Sequence, residues 1–364
     1  MEIEIGRGKK GRRAYGFDDI AIVPSRRTRD PEDVDLSWTV GPHTFEIPLM
    51  ASAMDGVVDV RTAVQLGRLG GLGVLNLEGI QVRYEEPDAE LERIASLGPE
   101  EATRGLQEVY RAPVKPELIA QRVREIKEAG VVACGSLTPQ RVRQHIDVAL
   151  DAGLDILVIQ GTVVSAEHVS TVVEPLNLKR FIAELPIPVI VGGCASYQTA
   201  LHLMRTGAVG VLVGVGPGAA CTTRQVIGVG VPQATAIADG GMAFGGDLAK
   251  AIACGADACM VGSPLAKATE APGRGYHWGM ATFHPTLPRG TRVKTRTIGS
   301  LEQIVTGPAH ENDGSLNLIG GLRTAMATCG YDSIQSFQKC EVMVAPALRS
   351  EGKRLQQTQA VGMG

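Results

Sequence analysis

Val131-Val132-Ala133-Cys134-Gly135-Ser136, then Pro139–Ala152, then Gly153, then Asp155-Ile156-Leu157-Val158-Ile159-Gln160 form the stretch on which the fold turns. The two flanking runs are almost continuously apolar, which suits strands buried on both faces of a parallel sheet. The segment between them has helical apolar spacing. Pro139 is read in its first turn, where a missing N–H costs nothing, and Gly153 is read as its stop. Strand, helix and strand together make one crossover unit.

The unit repeats outward in both directions. Strands are expected at Pro48–Ala53, Gly71–Asn76, Pro188–Cys194, Gly210–Gly216, Thr235–Gly241 and Ala258–Ser263. Helices are expected at Asp59–Leu69, Pro116–Ala129, Glu174–Glu184, Tyr197–Thr206 and Gly246–Cys254. Pro116 opens its helix, and Gly130, Gly207 and Gly255 follow helices as stops. Eight strands with this alternation argue for an α/β fold, a single (β/α)8 (TIM) barrel whose site lies at the C-terminal ends of the strands. At 364 residues the chain is also long enough for two ordinary domains, so length alone does not choose.

One connection breaks the pattern. Only eighteen residues separate Gly216 from Thr235, and Val229-Gly230-Val231-Pro232 interrupts any long helix there. A parallel crossover needs a dozen or more residues, usually helical. The barrel is therefore expected to be irregular at its sixth helix, unless Thr235–Gly241 is not a strand. Residues 1–46 read as an N-terminal extension and 78–115 as a polar connection too short for an inserted domain. Phe283–Gly299, rich in Pro, Gly and basic residues, reads as a mobile flap or a plain surface loop. Leu318–Cys329 reads as a helix, and about 330–364 as a polar tail.

Composition is that of an ordinary globular chain: 44% hydrophobic, 21% charged and a formal net charge of -3. That balance gives no argument for nucleic acid or an acidic membrane as partner. No run is long enough to span a bilayer, and Met1–Ile5 lacks the apolar core of a secretory signal. Seven scattered cysteines make neither a disulfide framework nor a zinc-type spacing, so a reducing, cytoplasmic setting is expected. Cys134, Cys194 and Cys259 fall in apolar runs and read as small core residues.

Gly214-Val215-Gly216-Pro217-Gly218-Ala219-Ala220-Cys221-Thr222-Thr223-Arg224 is different. It leaves the apolar run Val209–Val213 and presents one thiol beside two hydroxyls on a glycine-rich turn that can wrap a ligand. Cys221 is a candidate nucleophile with hydroxyls to handle its proton. On spacing alone it is equally a thiol in a turn.

Tyr15-Gly16-Phe17-Asp18-Asp19-Ile20, Ala51-Ser52-Ala53-Met54-Asp55, the cysteine loop, Gly228–Gln233, Asp239-Gly240-Gly241, Gly262-Ser263 and Gly279-Met280 occur in the order found in the IMP dehydrogenase/GMP reductase family. The chain resembles that family over nearly its whole length, and most resembles its branch without regulatory CBS domains. The resemblance implies that Cys221 attacks C2 of a purine nucleotide, GMP or IMP, as thiolate, so that hydride passes between C2 and a nicotinamide, NADPH or NAD. It implies that Asp239 accepts from the ribose hydroxyls, the bland alternative being a loop cap. Gly241, Gly262 and Ser263 hold the phosphate, and Gly279 and Met280 hold the base edge. Ser52 and Met54 lie against the nucleotide, although Met54 serves equally as core. Backbone carbonyls of Gly216, Gly218 and Cys221 match a site for a monovalent cation such as K+. A homotetramer or octamer is the implied assembly.

The departures from the family sharpen the choice of reaction. Ala219 replaces a serine that would add a phosphate hydrogen bond, and Ile159 stands where relatives carry an aspartate on the fourth strand. Relatives have roughly two dozen more residues before Asp239, where the sixth helix belongs. Arg289-Gly290-Thr291-Arg292-Val293-Lys294-Thr295-Arg296-Thr297 lacks the Arg–Tyr pair with which the dehydrogenase activates water; Lys294 and Thr297 take those places. Arg289 also replaces the reductase's loop glutamate, leaving Thr223 and Glu270 as candidate proton-handling partners. A GMP reductase is expected first, an IMP dehydrogenase second, and a nucleotide-binding paralogue without turnover third.

Overall fold

The computed structural model describes residues 2–171, 175–233, 240–279 and 292–345. Seven parallel strands curl into one sheet: β1 (Leu49–Ala51), β2 (Leu72–Asn76), β3 (Cys134–Leu137), β4 (Ile156–Gln160), β5 (Val189–Cys194), β6 (Gly210–Val213) and β7 (Cys259–Val261). Their spatial order is β6–β5–β4–β3–β2–β1–β7, so the last strand closes onto the first, with Cys259 opposite Leu49. This is the α/β barrel. Of the expected strand Thr235–Gly241, residues 235–239 lie outside the described residues. Gly240 N–H, at its end, donates to the Met260 carbonyl of β7 at 3.0 Å, as a strand beside β7 would.

Side-chain alternation divides the core in two. Met50, Val74, Cys134, Val158, Ile190 and Met260 fill the barrel interior. The hairpin Trp38–Val40 with His43–Phe45 closes its lower end, Trp38 stacking on Phe45 and donating to the Ile47 carbonyl. The alternate residues Leu49, Leu75, Leu137, Ile159 and Val261 face the helices. Six of the seven strands, all but β6, thus bury both faces, which is why they read so clearly in the sequence.

The helices are α1 (Val60–Arg68), α2 (Pro87–Ser96), α3 (Pro99–Val109), α4 (Pro116–Glu128), α5 (Val142–Asp151), α6 (Leu178–Glu184), α7 (Tyr197–Met204), α8 (Thr223–Ile227), α9 (Gly245–Ala253), α10 (Leu301–Val305), α11 (Leu318–Thr328) and α12 (Ile334–Phe337). Asp59 starts α1 by accepting from Thr62 N–H while its own N–H donates to the Thr62 hydroxyl, a reciprocal cap whose loss costs about 1 kcal/mol. Pro139 is not in α5. Thr138 accepts from Arg141 N–H in a separate turn, and the helix begins at Val142. Gly130, Gly153, Gly207 and Gly255 all have positive φ, as helix stops require.

Two regions depart from the sequence expectation and a third agrees with it. The polar connection 78–115 contains the helix pair α2–α3, whose Leu91, Ile94, Leu106 and Val109 form a small core with Ile80 and Trp278. Part of the expected tail is structural: Ile334 and Phe337 of α12 are buried, and Val342–Val344 pairs antiparallel with Ile20–Ile22. The expected irregularity is present, since only the five-residue α8 follows β6 before Gln233. Val211 and Val213 of β6 are half-buried, and Val209, Ile227 and Val229 are exposed around them.

Candidate active site

The cysteine loop rises from the C-terminal end of β6 and is pinned at both ends. Gly214 N–H donates to the Cys194 carbonyl at 2.7 Å, and Val231 N–H to the Val215 carbonyl at 3.0 Å. The buried Gln233 amide reaches the Val213 carbonyl. Within the loop, Cys221 N–H donates to the Gly218 carbonyl at 2.9 Å. Cys221 is exposed, and its thiol donates to the hydroxyl of the buried Thr223 at 3.2 Å. Cys134, Cys194, Cys259, Cys329 and Cys340 are buried and Cys254 is intermediate. Burial pushes the Cys134 and Cys259 thiols far up, leaving them unreactive.

Other residues singled out in the sequence converge on this loop. Gly241, at φ +74°, sits so close to Pro217 that a β-carbon would lie 2.9 Å from the Pro217 ring, and Gly240 lies against Gly218. Gly279 abuts the loop from another side, where a β-carbon would lie 3.4 Å from the Ala220 carbonyl. Ser52 N–H donates to the Val261 carbonyl, and Ser52 and Met54 together face Gly262, where a β-carbon would meet the Met54 sulfur at 2.7 Å. The ends of β1, β6 and β7 therefore surround one mouth. Asp239 and Met280 lie outside the described residues. A β-carbon built on Gly218 meets no described atom within 4 Å, so the loop backbone is open at that point.

Ser263 is committed to a partner that sequence reading did not single out. Its hydroxyl lies 2.8 Å from Nε2 of His277, which is fully buried. Burial, with the charge of Lys267, brings the His277 imidazole down to about 4, so it is neutral at physiological pH. Glu270 is placed otherwise than as a partner of the thiol. Its carboxylate accepts from the Thr269 hydroxyl at 2.8 Å and from Leu301 N–H at 2.9 Å, at the start of α10. No hydrogen bond among the described residues joins it to Cys221 or Thr223. Ile159 packs among helix-side residues, and the next side chain, Gln160, approaches Met260 across the barrel interior.

The described end of the expected flap is anchored. Arg292 lies 3.9 Å above the Tyr276 ring and donates to the carbonyls of Ile94, Ala95 and Leu97 at the end of α2. Val293–Lys294 pairs antiparallel with Tyr276–His277, and Arg296 approaches Glu311.

Beneath the mouth lies a buried polar network. Asp55, 1% exposed, accepts from Ile80 N–H at 2.9 Å, from the Asn76 amide at 3.3 Å and from the Tyr110 hydroxyl. Tyr110 in turn accepts from the Trp278 indole N–H at 2.8 Å. Burial raises the Asp55 carboxyl to about 6, against the lowering effect of these donors and the Arg83 charge. Asp55 lies inside a quoted motif, but its partner is 55 residues away in sequence, and no spacing signalled the pair.

Comparison with known proteins identifies the family. The sequence profile of the IMP dehydrogenase / GMP reductase domain matches residues 14–353. An uncharacterized oxidoreductase of Mycolicibacterium smegmatis is 46% identical, over 94% of this chain and 99% of the relative. The inosine-5'-monophosphate dehydrogenase of Cryptosporidium parvum is 27% identical, over 89% of this chain and 90% of the relative. The crystal structure of an IMP dehydrogenase/GMP reductase-like protein from Corynebacterium glutamicum superposes with a TM-score of 0.89 at 41% identity, covering 94% of this chain and 97% of that one. With its barrel, its ordered motifs and a cysteine loop at the barrel mouth, this chain belongs to the IMP dehydrogenase/GMP reductase family of oxidoreductases.

Proposed function

We propose that the protein is a GMP reductase-like oxidoreductase, converting GMP to IMP and ammonium at the expense of NADPH and two protons. The observation that carries the reading is the exposed Cys221 thiol, hydrogen-bonded to Thr223 on a loop against which Gly241 and Gly279 pack at Pro217 and Ala220. In this reading the thiolate forms a bond to C2 of the purine, and the exocyclic amine leaves as ammonia with Thr223 relaying a proton. The cofactor supplies hydride to C2, and the C2–sulfur bond breaks to return the thiolate. Ser52 and Met54 lie against the nucleotide, Asp239 accepts from the ribose hydroxyls, Gly241, Gly262 and Ser263 hold the phosphate, and Gly279 and Met280 hold the base edge. The carbonyls of Gly216, Gly218 and Cys221 are the proposed K+ ligands, and the active assembly is a homotetramer or octamer.

The arrangement after the flap supports the reductase over the dehydrogenase. Hydrolysis of a C2 adduct needs a base to activate water. Lys294 and Thr297 stand where the dehydrogenase carries its Arg–Tyr pair; nearby, Arg292 is engaged by α2 carbonyls and the Tyr276 ring, and the exposed Arg296 only approaches Glu311 at 3.9 Å. IMP dehydrogenase, oxidising IMP to XMP with NAD, is the second reading, favoured by the cysteine loop common to both reactions. Product analysis separates them. IMP and ammonium from GMP with NADPH support the reductase, whereas XMP from IMP with NAD replaces it with the dehydrogenase.

A further inference from the structure

The segment Tyr276–Gly279 is clasped between two parts of the chain that are far apart in sequence. On one side is the turn after β1: a β-carbon on Gly56 would lie 2.9 Å from the Tyr276 carbonyl and 3.0 Å from the His277 Cα. On the other is the α2–α3 pair, whose apolar side chains enclose the Trp278 ring. Tyr110, at the end of α3, ties the two together. Its hydroxyl donates to Asp55 and accepts from Trp278 Nε1. Its own carbonyl accepts from Arg83 at 3.0 Å, and the Arg83 guanidinium lies 5.6 Å from its ring.

Packing alone does not account for this arrangement. Phenylalanine at 110 would fill the same space, whereas a carboxyl buried beneath it is costly to keep. A fully satisfied buried network instead selects one orientation of the groups it joins. The group oriented here is Trp278, and the next residue is Gly279, packed against Ala220 one residue before the exposed thiol.

We propose that Tyr110 is a positioning residue for the nucleotide site: through Trp278 it fixes Gly279 against the cysteine loop and so sets the slot that receives the purine edge. The proposal rests on the purine-nucleotide reading of that site. Small displacements of such a slot weaken binding strongly, and the helix pair α2–α3 thereby acquires a role in substrate recognition from outside the barrel mouth.

The test is the GMP concentration that half-protects Cys221 from alkylation by iodoacetamide, measured on the full chain. Tyr110→Phe keeps the ring and deletes the hydroxyl; Trp278→Phe deletes the other end of the same hydrogen bond. For each, the half-protecting concentration is expected to rise about tenfold, the scale of one buried hydrogen bond. The alkylation rate without nucleotide is measured for each variant, and half-protection is read against that variant's own rate. The KM for GMP should rise by the same factor, with kcat changed far less. A variant with a lowered melting temperature but unmoved half-protection and KM overturns the proposal, because Tyr110 is then merely structural. The wild type keeps the two ideas distinguishable. If GMP and IMP leave its Cys221 unprotected, the nucleotide reading fails and the proposal fails with it.

Discussion

The Cys221 thiol and the Thr223 hydroxyl lie 3.2 Å apart, the former exposed at the mouth of the barrel and the latter buried at the first turn of α8. The pairing places a proton acceptor beside the nucleophile without burying the sulfur. It also explains why the loop is pinned by Gly214, Val231 and Gln233: a thiol two residues from its partner keeps that geometry only if the turn between them is fixed.

Exposure alone makes a first prediction. Cys221 should be the thiol that iodoacetamide modifies first in the folded protein, since five other cysteines are buried and Cys254 is only partly accessible. Peptide mapping after brief treatment should place the label on Cys221. Labelling first at Cys254 would contradict the described loop.

Removal of the pair's members should separate chemistry from binding. Cys221→Ala is expected to abolish turnover while leaving the Kd for GMP within about threefold of wild type. Thr223→Ala is expected to lower kcat about 100-fold, the lower range for loss of a proton-handling group. Unchanged kcat in Thr223→Ala, measured with saturating nucleotide and cofactor, would remove Thr223 from the mechanism.

Asp55 and His277 should give opposing pH dependences of stability. The Asp55 carboxyl is raised by burial from 3.8 to about 6, so the folded state holds its proton more tightly than the unfolded state. That contribution is full below pH 3.8 and lost as pH rises through about 6; it amounts to about 3 kcal/mol. The His277 imidazole is lowered from 6.5 to about 4, so its contribution is full above pH 6.5 and lost as pH falls through about 4. Relative to wild type, Asp55→Asn should therefore gain stability between pH 4 and 6, and His277→Gln should lose it as pH rises to 6.5. Urea unfolding at pH 4.5 and 6.5 measures both slopes. Variants that track the wild-type profile in parallel would refute the assignments.

Arg292 should matter for stability more than its place beside a loop suggests. It closes the C-terminal carbonyls of α2 while stacking on Tyr276. Arg292→Lys keeps the charge but loses the planar fork that serves several carbonyls at once. A loss of about 2 kcal/mol in urea unfolding is expected. A loss below about 0.5 kcal/mol, typical of an exposed surface change, would show that the contact carries no weight.

The barrel was legible because its strands are buried on both faces. Runs such as Ile156–Gln160 have few other structural readings. The irregular sixth connection was legible for the opposite reason, as a length too short for its task. The α2–α3 pair was not, since α2 buries only Leu91 and Ile94 and its surface is polar. The tail likewise hid Ile334 and Phe337 among polar neighbours. At the site, Cys221 with Thr223 and the glycines around them were legible as local motifs. Glu270, whose carboxylate accepts from Thr269 and from the first N–H of α10, was chosen by sequence proximity, which carries no information on such partners. His277, Asp55 and Tyr110 escaped notice because their significance lies in partners brought together only by the closed barrel.

The most direct test of the central claim follows NADPH absorbance with GMP for the wild type and for Cys221→Ala, with ammonium assayed in the same samples. The account predicts that the wild type consumes NADPH and releases one ammonium for each NADPH oxidised, and that the variant does neither. Turnover that survives in Cys221→Ala, or a wild type that binds GMP and leaves NADPH untouched, would contradict it.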